Sequence, residues 1–159
     1  MSLLISSTST NPSMRLVVDA NILVSELLRQ RGKSLMAHSA LRIAIAEKVW
    51  GEAEHELRKR LIIMAKHSDS PEMAADTLLA STLDVVTTHI TQIPEAVYDA
   101  REAIARSRIP RDPNDWHTVA LALFSDADIW TSDTDFLGCG IATWTTDTLL
   151  AHLARVEAE

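Results

Sequence analysis

Apolar residues along this chain come in short blocks whose spacing alternates between a strand's and a helix's. "RLVVDAN" (15–21) is a compact apolar run that ends at Asp19 and reads as a short buried strand. "ILVSELLRQR" follows with helical character, and Gly32 after it suits a helix C-terminal cap. "SLMAHSAL" predicts a second short helix, while "RIAIAE" (42–47) is too short to separate a strand from the end of that helix. Residues 49–67 form an amphipathic helix, with Trp50, Ala53, Leu57, Leu61 and Met64 at spacings of three and four. Ser70 and Pro71 open another helix as cap and first residue. "LDVVTTH" (83–89) reads as a strand. Pro94 begins a helix that runs to about Ser107, and Asp112-Pro113 begins one that runs to about Ser125. "DIWTS" (128–132) and "IATWTT" (141–146) read as strands, and Asp147 caps a final helix.

Strands that alternate with helices predict a mainly parallel sheet covered on both faces, a three-layer α/β/α sandwich of four or five strands. No internal repeat or linker interrupts residues 14–159, which are read as one domain. Residues 1–13, "MSLLISSTSTNPS", read as a polar tail, since they lack the positive start and apolar stretch of a signal peptide.

Composition narrows the function. Hydrophobic residues make up 47% of the chain and aromatics only 4%, so the core is built of Ala, Leu, Ile and Val. A single cysteine, Cys139, excludes an internal disulfide and an all-cysteine zinc site, which fits a reducing cytoplasm. No apolar run approaches the roughly 20 residues that span a bilayer. The formal net charge of −7 argues against a general nucleic-acid coat. It leaves room for an enzyme that meets phosphates through metal ions.

The acids are unevenly placed. "DPNDWHTVALALFSDADIWTSDTDF" (112–136) holds Asp112, Asp115, Asp126, Asp128, Asp133 and Asp135 around two core-like runs. Carboxylates beside a core are costly unless paired or bound to a cation. Each has a plain explanation: Asp112 as helix cap, Asp19 and Asn21 as turn residues, Asp133 and Asp135 as a strand-to-loop turn, and Asp126 and Asp128 as solvated loop. Asp115 fits such a role least, because it borders the apolar face of Trp116, Val119 and Leu123. Parallel sheets gather their sites at the strands' carboxyl ends. Asp19 and Asp133 each follow a strand directly, and Asp112 and Asp115 open a helix that faces the same edge. On the helix 49–67, Glu52 points away from the apolar stripe and Glu54 and Glu56 border it; periodicity does not choose among them.

These residues resemble the motifs of the PIN domains, compact nucleases that include toxins of the VapC type. The resemblance covers residues 15–153. "RLVVDAN" is similar to the family's opening strand, its first acid falling on Asp19. "ELRKRL" is similar to the segment carrying its glutamate, which falls on Glu56. "DPNDWHTVALAL" places the third acid at Asp115, and "TSDTDF" places Asp133 first and Asp135 second. The tail ahead of the first strand departs from the family. The resemblance implies a ribonuclease that hydrolyses RNA phosphodiesters with Mg²⁺ or Mn²⁺, hard ions that prefer oxygen ligands. Asp19, Glu56, Asp115 and Asp133 are then metal-binding and catalytic, with Asp135 an accessory ligand. Asn21, Thr131, Ser132 and Asp112 are hydrogen-bonding neighbours of these ligands. Arg108 and Arg111, with Arg101 and Arg106, form a basic patch that grips phosphate or is simply a solvated helix face. His117 is a weak candidate for proton transfer. The tryptophans belong to the core or an interface. A homodimer follows from the resemblance, with Trp50 and the early Leu-rich helices as the contact surface.

Rival readings fit less well. An aspartyl phosphatase wants a second acid where Asn21 stands. "VVDANILV" lacks a dinucleotide site's glycines. The six histidines are scattered, with no HExxH. Two further alternatives remain: a catalytically weak PIN-like module that binds RNA or protein, and a free-standing ribonuclease rather than a toxin paired with an antitoxin protein.

Overall fold

In the computed structural model, which describes residues 13–159, five parallel strands form one sheet in the order β3-β2-β1-β4-β5. The strands are β1 (Met14–Val18), β2 (Leu41–Ala46), β3 (Ile90–Ile93), β4 (Asp128–Trp130) and β5 (Thr143–Trp144). β1 occupies the centre because Leu16, Val17 and Val18 are buried on both faces, as a doubly covered parallel strand must be. The segment 42–47, ambiguous by period, is strand β2 up to Ala46, and its Glu47 opens the helix that follows. Its Arg42–Ala44 stretch pairs with Arg15–Val17 of β1.

Eight α-helices surround the sheet among the described residues. α1 (Ala20–Leu27), α2 (Gln30–Met36), α3 (Glu47–Ala65) and α4 (Pro71–His89) belong to the steps from β1 to β2 and β2 to β3. α5 (Glu95–Tyr98), α6 (Glu102–Arg108) and α7 (Trp116–Ser125) lie on the return to β4, and α8 (Thr146–Ala158) ends the chain. The first two steps run one way across the sheet and the third runs back. Right-handed crossovers therefore put α1–α4 on one face and α5–α7 on the other, the three-layer sandwich expected.

Several elements differ from the sequence reading. Gly32 is not a cap but lies inside α2; a Cβ there would sit 2.1 Å from the Glu26 carbonyl oxygen, so glycine lets α2 pack against α1. α2 ends at Met36, well before Leu41. Residues 83–89 are helical. The β-branched run Val85–Thr88 continues α4, burying Val86, and the strand is the next four residues, "ITQI". Local β-propensity loses here to a helix already propagating from Pro71. Met64 is exposed, and Ala65 takes its place in the core. The helix expected from Pro94 breaks at a 3₁₀ turn, Asp99–Arg101. The last strand shrinks to Thr143–Trp144. α8 is capped by Thr145, not Asp147: Thr145 and Thr148 bond reciprocally in a capping box. Trp50, Trp116 and Trp130 are core residues, so Trp50 offers no contact surface. Of the polar tail read over residues 1–13, residues 1–12 lie outside the described residues.

Candidate active site

The two central strands deliver the first acids. Asp19 follows β1, caps α1 and is 6% exposed. One of its carboxylate oxygens accepts the Ile22 N–H at 3.0 Å and the other accepts the Thr131 hydroxyl. Thr131 follows β4, and its oxygen in turn accepts the Asp133 N–H at 3.0 Å. Asp133 accepts the Asp135 N–H at 2.9 Å, closing a 3₁₀ turn over Thr134–Phe136. One threonine thus ties the ends of β1 and β4 together between Asp19 and Asp133. Burial pushes the Asp19 carboxyl above its usual value, with the Asp133 charge adding, against the hydrogen bonds that favour the ion.

The third acid comes from the opposite layer. Asp115 joins a 3₁₀ turn, Pro113–Asp115, to α7 and makes no capping bond with its side chain. Its carboxyl is pushed up to about 6, first by burial, then by Asp112, and further by Asp133 and Asp19. Asp112 makes no cap bond either, contrary to its plain reading; its carboxyl lies against that of Asp115 instead. Four aspartates from three segments therefore feel one another's charge at the carboxyl edge of the sheet.

The PIN domain family profile matches residues 17–154. The chain belongs to the PIN domain family. Its structure is similar to that of PAE2754 from Pyrobaculum aerophilum, with TM-score 0.60 and 20% identity over 93% of this chain and 96% of that one. It is also similar to FitAcB from Neisseria gonorrhoeae, with TM-score 0.54 and 17% identity over 82% and 97%. FitAB bound to an IR36 DNA fragment gives 0.53 and 18% over 82% and 94%. Comparison with curated proteins gives no match. PIN domains are generally nucleases, a hydrolase chemistry, and generally use divalent metal ions.

Carboxylates and a hydroxyl make the cluster of this PIN domain an all-oxygen donor set, the kind a hard divalent cation takes. As they stand, no three His, Cys, Asp or Glu side chains among the described residues are close enough to share one ion. Asp135 contributes its N–H to the Asp133 turn. Glu56 lies half-exposed on α3, paired with Arg60 at 3.3 Å, and is not among the charges that act on Asp19 or Asp115. Glu52, one turn earlier, acts on His117 of α7. Asn21 meets Asp19 through its backbone N–H, and Ser132 is exposed beside Asp133.

Three of the four arginines have structural occupations. Arg101 lies over the Phe124 ring, and Arg106 bonds Glu102 and the Pro113 carbonyl and covers Trp116. Arg108 donates to the Cys139 carbonyl at 3.1 Å, passing where a Cβ on Gly140 would stand 2.8 Å from its guanidinium. Arg111 is exposed and has no partner among the described residues. His117 is pinned: it stacks on Trp116, and its Nδ1 meets the Tyr98 hydroxyl at 2.8 Å. Burial lowers the His117 pKa, and burial with nearby acids pushes Tyr98 up to about 12, so a proton-bearing Tyr98 faces a neutral imidazole. The sequence reading missed Tyr98, whose position in a broken helix left no periodic signal.

Proposed function

We propose that this PIN domain is a Mg²⁺- or Mn²⁺-dependent endoribonuclease and the toxin of a toxin–antitoxin pair. The observation that carries the reading is the convergence of Asp19, Asp115 and Asp133 from β1, α7 and β4, with Asp115 pushed up to about 6 by burial and its neighbours. Asp19, Asp115 and Asp133 would hold the ion, with Asp135 as the nearby further carboxylate; Glu56, which the resemblance assigns to the set, would have to leave Arg60 to join them. When bound, the ion neutralises phosphate charge and activates water. Thr131 holds the Asp19 and Asp133 segments in register, and Arg111 grips a substrate phosphate, while Arg108 fastens the loop that carries Asp133 and Asp135. The toxin assignment extends the VapC-type resemblance.

A homodimer, or the antitoxin, would cover the exposed apolar residues Ile62, Ile63, Met64 and Met73 around the α3–α4 turn. No helix of the described residues is long and apolar enough to cross a membrane.

The test is cleavage of a mixed single-stranded RNA pool with Mg²⁺ and with EDTA, by the parent and by Asp115→Asn. Cutting that needs both the metal and Asp115 supports the reading; cutting by the variant at the parental rate ends it. The separation of the carboxylates favours a second reading, a module that binds RNA or protein and cleaves little. Calorimetry decides between them: a module of that kind binds no Mg²⁺ at millimolar concentrations.

A further inference from the structure

Beside the aspartate cluster lies a cavity of about 370 Å³ whose walls include Glu26, Arg29, Arg31, Ser132 and Asp147. It adjoins the site directly. Ile22, which also lines it, gives its N–H to Asp19, and Ser132 precedes Asp133. Glu26 is the unusual member. It is 2% exposed on α1, and one of its carboxylate oxygens is buried with no hydrogen-bond partner. Such an atom costs free energy in the folded protein and calls for a donor. Its other oxygen meets Arg31 at 3.3 Å. Arg31 is half-exposed and reaches Asp147 at 3.5 Å, so two long contacts hold it as a movable wall over Glu26.

The charges identify the occupant. Two arginines face two acids, so the cavity selects neither an anion nor a cation. It suits a neutral group rich in both donors and acceptors. We propose that this cavity is a guanine-binding subsite for the RNA base next to the scissile phosphate, an inference that rests on the nuclease reading above. Guanine alone among the four bases offers two adjacent N–H donors on its Watson–Crick edge, which match the two oxygens of a carboxylate. Its O6 and N7 accept from an arginine. Arg31 swings outward from Glu26 to O6 and N7, and the guanine N–H groups take its place on the carboxylate. Adenine sets a ring acceptor against Glu26, and uracil flanks its single N–H with two carbonyls. A guanidinium from a protein partner also has paired donors, but Arg29 and Arg31 repel it.

Calorimetry of the full chain in EDTA, with the 5′-monophosphates of guanosine, adenosine, cytidine and uridine, tests the subsite without metal or cleavage. The guanosine nucleotide should bind about tenfold more tightly than the adenosine one, the scale of one good base-edge pair. Glu26→Gln, which replaces one acceptor with a donor, should bring the two within about threefold. Arg31→Met removes the donor to O6 and N7, changes a half-exposed side chain and keeps the test usable if Glu26→Gln does not fold; it should weaken guanosine monophosphate more than adenosine monophosphate. Equal binding of all four, no binding, or an unchanged preference in the variant that folds overturns the subsite. Tighter binding of an arginine-containing tripeptide at the same place overturns it too, in favour of a protein occupant. Cut-site mapping separates the two levels of inference. Cleavage without guanine enrichment sinks the subsite and spares the nuclease, whereas absence of cleavage sinks the nuclease and leaves the calorimetric result to decide the cavity.

Discussion

Replacing Asp115 with asparagine should make the metal-free protein more stable while abolishing cleavage. In the folded chain the Asp115 carboxyl is pushed from 3.8 up to about 6 by burial and by Asp112, Asp133 and Asp19. At 1.36 kcal/mol per unit, that rise corresponds to roughly 3 kcal/mol of unfavourable ionisation. Asp115 is only part-buried, and solvent screening reduces the figure to about 1 kcal/mol. The sign follows from proton binding. The folded state holds this proton more tightly than the unfolded state, so stability falls as pH rises between about 3.8 and 6, and the penalty is complete above that window. Asparagine keeps the shape, cannot ionise, and loses no cap bond, because Asp115 makes none. Scanning calorimetry in EDTA at pH 7.5 should show Asp115→Asn melting about 2–4 °C above the parent. The gain should shrink towards pH 4. A variant that melts no higher than the parent at pH 7.5, or whose gain is independent of pH, would refute the mutual-repulsion account of the cluster.

Added Mg²⁺ should raise the melting temperature of the parent by mass action and leave that of Asp115→Asn nearly unchanged, as seen in the same scans. Thr131→Val removes the hydroxyl that bonds Asp19 and accepts the Asp133 N–H; urea unfolding should show a loss of about 1–3 kcal/mol, with cleavage reduced. Gly140→Ala strains a backbone at φ +85 and drives a methyl against Arg108, so it should cost about 1–3 kcal/mol in the same assay; Gly138→Ala, with φ +84 but open space around it, should cost less. Gly32→Ala should destabilise the protein more than either, because its methyl meets the backbone of Glu26, and soluble yield on expression reports it.

The central layer was legible because a buried parallel strand advertises itself as an unbroken apolar run, and Leu16–Val18 and Ile129–Trp130 are such runs. Asp19 and Asp133 were legible for the same reason: each is the first acid after a strand, and parallel strands end at one edge. The α4–β3 boundary was not. Val85–Thr88 carry a strand-like composition, and only the packing of Val86 inside a long helix overrides it. Gly32 misled because its role, admitting a neighbouring backbone, is a tertiary fact with no local mark. The basic patch misled in the same way. Arg106 and Arg108 look free in sequence, and only folding shows the carbonyls they hold. On α3, spacing placed Glu52, Glu54 and Glu56 on a helix without saying which turn meets α7.

The hydrogen bond from Thr131 to Asp19 joins residues 112 positions apart, across two neighbouring strands of the sheet. That distance along the chain is also a distance in time during synthesis. β1 and its acid leave the ribosome 112 residues ahead of their partner. A growing chain therefore carries half a centre for most of its elongation and completes it only when β4 slides in beside β1. If the centre is the nuclease site proposed above, this order of assembly keeps the template and the ribosome out of danger until β4 has been made. A product truncated before residue 128 would keep Asp19 and Asp115 but lack Thr131 and Asp133, the other half of the centre.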